Sequence, residues 1–144
     1  MLVQNILSSK ENVGIFWLTA DEPVKKAVAV MSERRIGTII VSEDGEVPTG
    51  ILSERDIVRE MGKRGAAVLE ESIDSMMTKK LVTCSENDMS DAILQKMTDG
   101  RFRHMPVLRD GKLVGLISIG DVVKARLAQL AMEKDALEGM VMGR

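Results

Sequence analysis

The chain has 144 residues, of which 44% are hydrophobic and 29% are charged, with a net charge of −2. This length suits one compact domain or two very small ones. The charge balance and the few aromatic side chains argue against nucleic-acid binding, which needs a clustered basic excess or stacking platforms. One cysteine cannot form an internal disulfide, and neither a membrane span nor a signal peptide is evident. We therefore expect a cytoplasmic protein without nucleic-acid or membrane partners.

The sequence consists of two similar halves, offset by about 65 residues. The segment 50–58 (GILSERDIV) recurs as 115–123 (GLISIGDVV), with glycine, serine, aspartate and the flanking aliphatic residues in register. The upstream segments 19–27 and 36–45 also have counterparts, at 83–92 and 102–111. Such a repeat predicts two copies of one supersecondary unit, each with an apolar face that its neighbour covers.

Each half predicts the same first elements. A lead helix at 1–7 is matched by 73–77, and an extended stretch then ends at Thr19 (residues 15–18) or Thr83 (residues 81–82). A helix follows, because apolar residues recur every three to four positions. These residues are Val24, Ala27, Val28 and Met31 in the first half, and Met89, Ala92, Ile93 and Met97 in the second.

The later elements of each half are a hairpin and a second helix. Asp-Gly turns at 44–45 and 110–111 predict hairpins that pair 38–41 with 47–52 and 105–108 with 113–117. The second helix begins at Ser53 or Ser118, since serine is a preferred N-cap. The predicted fold is α+β: two tandem β-α-β-β-α units, residues 1–66 and 67–144, packed as one pseudo-two-fold module with a long C-terminal helix.

The Gly-x-x-Ser-x-x-Asp segments at 50–56 and 115–121 carry the clearest chemical signal. Each places a serine at a helix start and an aspartate one turn later on the same face. The hydroxyl and the free helix amides favour an anion, and a carboxylate suits two vicinal hydroxyls. Together they fit a ribose phosphate. The structural alternative is an N-cap serine followed by an acid that complements the helix dipole.

The repeat, these two segments and Arg-His-Met-Pro-Val at 103–107 resemble a tandem CBS-domain pair, or Bateman module, over residues 3–130. The resemblance implies a stand-alone regulatory module that senses adenosyl nucleotides (AMP, NAD, ADP or ATP), with S-adenosylmethionine also among the family's ligands. It implies a homodimer that acts on a further protein partner, with no catalytic cofactor. The alternative is a structural dimerisation adaptor with no physiological ligand.

The resemblance also implies which residues bind the nucleotide. Asp56 and Asp121 would hold ribose, Ser53 and Ser118 would contact phosphate, and adenine would lie near the threonine and the second strand. The expected nucleotide-binding residues are Thr19, Ile36, Gly37, Thr38, Ser53, Arg55 and Asp56 in the first site, and Thr83, Arg103, His104, Met105, Pro106, Ser118, Ile119 and Asp121 in the second. The first half lacks the Arg-His pair and the proline, so its phosphate would need Arg35, Arg55, Arg59, or Arg103 and His104 across the cleft.

Several single residues have two interpretations. His104 contacts phosphate and makes binding pH-sensitive, or it is a half-buried strand residue bonded to backbone. Arg103 is a phosphate-binding fork or a solvated rim residue. Trp17 belongs to the core or to an adenine pocket, while Cys84 is expected to pack rather than react.

The sequence contains no signature of an enzyme active site. It has no phosphate-binding P-loop and no nucleophile elbow. One histidine and one cysteine are too few for a zinc site of four nitrogen and sulfur ligands. We expect neither catalytic residues nor a metal site.

Apolar residues on the second helices predict an interface. They are Ile57, Val58 and Met61 in the first half, and Val122, Val123 and Leu127 in the second. Because monomers seldom leave large apolar patches in water, we expect a second chain to cover them. The helical pattern at 121–142 exceeds what one unit needs, so this segment is either a frayed tail or a partner helix that enlarges the dimer contact.

Overall fold

The structure is a computed structural model that describes residues 1–10 and 15–142. Two three-stranded sheets, each with two longer helices, follow one another along the chain. The helices are α1 (Val3–Ser9), α2 (Val24–Arg34), α3 (Glu54–Arg64), α4 (Ser90–Gly100) and α5 (Ile119–Val141), with 3₁₀ turns at Ala66–Glu70 and Ile73–Ser75. The strands are β1 (Trp17–Leu18), β2 (Thr38–Ser42), β3 (Pro48–Ser53), β4 (Cys84–Ser85), β5 (His104–Arg109) and β6 (Lys112–Ser118).

The two sheets have the same topology. The first strand of each unit pairs parallel with the second, and the second pairs antiparallel with the third. In the second hairpin Asp110 and Gly111 both have positive φ, at 51° and 78°, as a tight two-residue turn requires. The α+β fold, the repeated unit and the long C-terminal helix are confirmed. The extended stretch predicted at 81–82 lies slightly later, at Cys84–Ser85, where parallel pairing with β5 begins.

The first helix of each unit packs its apolar face on its sheet. Val24, Ala27 and Met31 of α2 are buried, as the spacing predicts. In α4 only part of the prediction is correct, because the helix begins at Ser90. Ser90, Ile93 and Met97 face inward, whereas Met89 and Ala92 are exposed.

The segment that precedes each unit in the sequence packs on the other unit; these two lead segments are α1 and residues 72–78. In α1, Val3 and Ile6 belong to the core of the second unit, and the Val3 amide donates to the Asp88 carbonyl at 2.9 Å. The predicted lead helix is present, and its apolar face closes the core of the second unit beside α4 and α5. The segment 72–78 completes the first unit instead, since Ile73 and Met76 lie in that core. The domain boundary at 66/67 stays a prediction.

The second helices split the predicted interface residues between core and surface. Ile57 and Val122 are buried against their own sheets, because these positions face inward when each helix returns across its unit. The expectation that they are available to a partner is therefore wrong. Val58, Val123 and Leu127 are exposed, as are Leu130, Leu137 and Met140 farther along α5. The surface available to a partner is thus concentrated on α5.

Candidate functional site

The two Gly-x-x-Ser-x-x-Asp segments form equivalent strand–helix junctions. Ser53 ends β3 opposite Thr38, and Ser118 ends β6 opposite His104. The first amide of each helix is bonded to the start of the neighbouring strand: Glu54 to the Gly37 carbonyl at 2.9 Å, and Ile119 to the Arg103 carbonyl at 2.8 Å. These amides, predicted to be free for an anion, therefore already have partners.

A capping box closes each junction. The Asp56 amide donates to Ser53 Oγ at 3.3 Å, and the Ser53 amide donates to Asp56 Oδ2 at 2.9 Å. The second unit repeats this pair, with the Asp121 amide to Ser118 Oγ at 3.0 Å and the Ser118 amide to Asp121 Oδ2 at 2.9 Å. The serine N-caps are confirmed. Each aspartate has a structural role whether or not it also binds a ligand.

Asp56 and Asp121 differ in whether their second carboxylate oxygen already has a hydrogen-bond partner among the described residues. Asp56 is buried, and its other oxygen Oδ1 accepts from Arg59 Nη2 at 3.1 Å. Asp121 is half-buried, and within the described residues its contacts fall on Oδ2, which also meets Lys10 Nζ at 2.8 Å. Among the described residues none is hydrogen-bonded to Oδ1 of Asp121, so this oxygen can accept from an incoming hydroxyl. The second junction is the better candidate for binding a diol.

The electrostatics of the second junction keep Asp121 ionised. Burial alone would raise the pKa of its carboxyl, but hydrogen bonds from Lys10 and from the Ser118 amide outweigh burial and hold the pKa below its usual value. A carboxylate in this state accepts hydrogen bonds and donates none. It suits the two hydroxyls of a ribose.

Thr38 and His104 join the two junctions. Both stand at the start of the second strand of their unit, and Thr38 Oγ1 lies 3.0 Å from His104 Nδ1. Burial lowers the pKa of His104, against the opposing effect of the nearby Asp121 carboxylate. This supports the strand-residue interpretation of His104 in part, although its partner is a hydroxyl of the other unit and not backbone.

The remaining predicted residues surround these junctions unevenly. Arg55 and Arg103 are exposed, Met105 and Pro106 are buried in β5, and Ile36 and Ile119 are half-buried. Thr19 is held locally at the end of β1, where its hydroxyl donates to Asp21 Oδ1 at 2.5 Å. Thr83 is half-buried immediately before β4. The described contacts join neither threonine to Asp56 or Asp121.

The structure places Trp17 and Cys84, each of which had two interpretations in the sequence. Trp17 is 38% exposed and packs its indole over Gly45, so it lies outside both cores. Cys84 is buried, and burial raises the pKa of its thiol to about 11. A thiol in this state packs and does not attack, as predicted.

Sequence reasoning missed Lys10, which contacts the site from outside its own unit. The residue follows α1, and its ammonium group reaches both Asp121 and the Leu116 carbonyl at 2.9 Å. No local pattern marks it, because the contact depends on the lead helix packing on the second unit. Within residues 1–10 and 15–142 no cluster of His, Cys, Asp or Glu could hold a metal ion. No helix in these ranges could cross a membrane.

Two distant solved structures share the fold. The chain has a TM-score of 0.78 and 23% identity to a CBS domain protein from Pyrobaculum aerophilum complexed with AMP, covering 92% of this chain and 99% of that one. It has a TM-score of 0.77 and 20% identity to the CBS domain pair of protein MJ0100, in complex with 5′-methylthioadenosine and S-adenosyl-L-methionine, covering 90% and 98%. At these identities the likeness shows the fold alone.

Nearer relatives and a family model go further. A CBS-domain protein from Agrobacterium tumefaciens has a TM-score of 0.82 and 39% identity, over 88% of this chain and 99% of that one. A mitochondrial CBS domain-containing protein of Arabidopsis thaliana, CBSX3, is 34% identical over 88% of this chain; the chain spans 64% of that protein's length. The CBS domain model matches residues 9–63 and 72–128, one match for each unit. The chain belongs to the CBS-domain family and contains a pair of CBS domains.

Proposed function

We propose that this chain is a regulatory module that binds an adenosyl ligand carrying phosphate at its strand–helix junctions. AMP and NAD are the preferred ligands, followed by ADP and ATP. The observation that carries the proposal is the half-buried Asp121, which is ionised at a helix start and whose Oδ1 has no hydrogen bond from the described residues. An ionised carboxylate beside a capped helix is suited to the 2′- and 3′-hydroxyls of ribose.

Known complexes of related folds support this choice of ligand class. The Pyrobaculum aerophilum protein was solved with AMP, and protein MJ0100 with 5′-methylthioadenosine and S-adenosyl-L-methionine. All three ligands contain adenosine. An adenosyl ligand is accordingly the first class to test with this chain.

The chemistry of the described residues favours binding over catalysis. The Cys84 thiol is buried with a raised pKa, and His104 is bonded to Thr38 with a lowered pKa. Neither forms a nucleophile–base pair within the described residues. Bound ligand would instead favour one arrangement of the two units, which a protein partner then recognises.

We also propose a homodimer. Val58 on α3 and several large apolar residues of α5 are exposed, and monomers seldom leave extended apolar patches in water. A two-fold contact through these helices would cover them and place equivalent ligand sites symmetrically. A cytoplasmic location remains a prediction.

One observation favours the adaptor alternative. Both oxygens of Asp56 already have partners, and both aspartates serve in capping boxes. The residues that resemble the family's ribose site would then persist for helix capping alone. This alternative predicts a dimer whose stability is indifferent to nucleotides.

The proposal is tested by mass spectrometry of ligand retained by freshly purified protein, followed by thermal unfolding with AMP, NAD, ADP and ATP. At about 100-fold excess over Kd, a ligand stabilises the folded state by roughly 2.7 kcal/mol. GMP is the matched control, since it keeps ribose and phosphate and changes only the base. No stabilisation by any adenosyl ligand would favour the adaptor, and equal stabilisation by GMP would overturn adenine recognition.

A further inference from the structure

Lys10 links the lead helix to the second junction by two short contacts. Its Nζ donates to the Leu116 carbonyl at 2.9 Å and lies 2.8 Å from Asp121 Oδ2. The side chains are partly open to solvent, 32% exposed for Lys10 and 22% for Asp121. An incoming ligand can therefore reach this ion pair.

In the first unit, the carbonyl equivalent to that of Leu116 accepts its hydrogen bond from an uncharged group. There the carbonyl of Ile51, which corresponds to Leu116, accepts from the backbone amide of Thr78 at 2.8 Å. A main-chain bridge thus occupies the place that an ammonium group takes in the second unit. The positive charge of Lys10 is a difference between the two sites and not a requirement of the sheet edge.

Lys10 also belongs to a group of charges around His104. The pKa of His104 is lowered first by burial and further by Lys10 and Arg103, whereas Asp121 and Glu54 oppose the shift. At neutral pH the lowered pKa leaves His104 uncharged, so the cations Lys10 and Arg103 balance the carboxylates of Asp121 and Glu54. Lys10 is thus neutralised by Asp121 before a ligand binds, and an added phosphate would give it a second anionic partner.

We propose that Lys10 is a specificity-determining residue of the second site, where it binds the 5′-phosphate of an adenosyl ligand. This inference rests on the proposed function. When Asp121 accepts the ribose hydroxyls, it shares the carboxylate that now neutralises Lys10. The 5′-phosphate lies one sugar ring from those hydroxyls, within the reach of a flexible lysine side chain, and it supplies a new anionic partner.

The consequence is selection by charge. A ligand with an uncharged 5′ group shares the Asp121 carboxylate with Lys10 and gives the ammonium group no new partner in return. A ligand with a 5′-phosphate satisfies both side chains together. AMP and 5′-methylthioadenosine differ at this 5′ group, so the ratio of their affinities isolates the contribution of Lys10.

The experiment measures the affinities of AMP and 5′-methylthioadenosine for the full chain by calorimetry. It compares the unaltered protein with Lys10→Gln, which removes the charge but keeps a hydrogen-bond donor, and with Lys10→Met. Release of Asp121 in these variants affects both ligands alike, so it cancels in the ratio. Because a hydrogen bond to a charged group is stronger than one between neutral groups, but Lys10 is one-third exposed, we expect the preference for AMP to fall ~10-fold. Lys10→Arg should retain most of the preference.

Lys25→Met is the matched control, because it removes the same charge from an exposed pair with Glu70 on another surface. It should leave the ratio unchanged. If AMP binds but the ratio in both Lys10→Gln and Lys10→Met stays within twofold of the unaltered protein, the role of Lys10 is refuted and the proposed function stands. If the unaltered chain binds neither ligand, the proposed function itself is overturned, and the inference with it.

Discussion

Replacing Asp121 with alanine should affect stability and ligand binding by separate amounts. The carboxylate caps α5 through the Ser118 amide and pairs with Lys10, while its Oδ1 is the proposed ribose acceptor. Because Asp121 is only half-buried and the apolar core stays intact, the Asp121→Ala variant should fold. It should nevertheless be less stable than the unaltered protein, in contrast to what a freely exposed cleft residue would show.

The size of both effects follows from the contacts. Loss of an N-terminal capping interaction costs about 1 kcal/mol. The pair with Lys10, which is one-third exposed, adds at most about 1 kcal/mol. A total of about 1–2 kcal/mol corresponds to a fall in Tm of roughly 3–6 °C for a chain of this length. Removing a charged acceptor for the ribose hydroxyls should weaken AMP binding by ~10–150-fold.

Thermal unfolding without ligand and calorimetric titration with AMP separate the two effects. Asp135→Ala is the control, since it removes an exposed acid from the same helix and should change neither value. An unchanged AMP affinity in a folded Asp121→Ala variant would refute the ribose assignment. An unchanged Tm would instead refute the energetic role of the capping box.

Three further predictions concern other parts of the fold. Burial lowers the pKa of His104 in the folded protein, so the unfolded chain binds the extra proton more readily. The free energy of unfolding should therefore fall as pH drops below the ordinary pKa of 6.5. Urea titrations from pH 7.5 to 5.5 should show a smaller fall in this free energy for His104→Asn than for the unaltered protein. An equal fall in both proteins would contradict this. Gly45→Ala should lower the free energy of unfolding by about 2 kcal/mol or more, because φ is +78° and an added Cβ would lie 2.7 Å from the Trp17 ring. Gly62→Ala lies in open space on α3 and should raise this free energy by roughly 0.5–1 kcal/mol. Equal urea midpoints (Cm) for the two variants would refute the difference. Sedimentation of the unaltered protein should give a mass twice that of the 15.8 kDa chain. When Val58 and Leu127 are both replaced by glutamate, the measured mass should shift toward that of a single chain. A monomer before substitution would refute the dimer.

Most of the fold could be predicted because its determinants are local and occur twice. Hairpins follow from the Asp-Gly turns, and the second helices begin at Ser53 and Ser118 because these side chains bond to amides three residues away. The apolar spacing does not identify the buried face correctly where a helix begins. Met89 and Ala92 fit an apolar spacing, yet the helix begins at Ser90 and turns both outward.

The candidate site could be predicted only in part. The Ser-x-x-Asp spacing identifies the two junctions, since all its atoms lie within one helical turn. The contact between Lys10 and Asp121 joins residues at opposite ends of the chain, and it exists only because α1 packs on the second unit. The bond between Thr38 and His104 likewise depends on how the units meet.

The crossing of the lead segments has a consequence for synthesis. Val3 and Ile6 are synthesised more than a hundred residues before Ile117 and Val122, which belong to the core that receives them. At ~5–20 residues per second, the first segment waits about 6–24 s for these partners. A helix of only seven residues is not stable in isolation, so α1 should remain unstructured during this interval. The helix α1 is therefore synthesised early but folds late, and the nascent second unit acquires its complete core only when α1 meets β6 and α5.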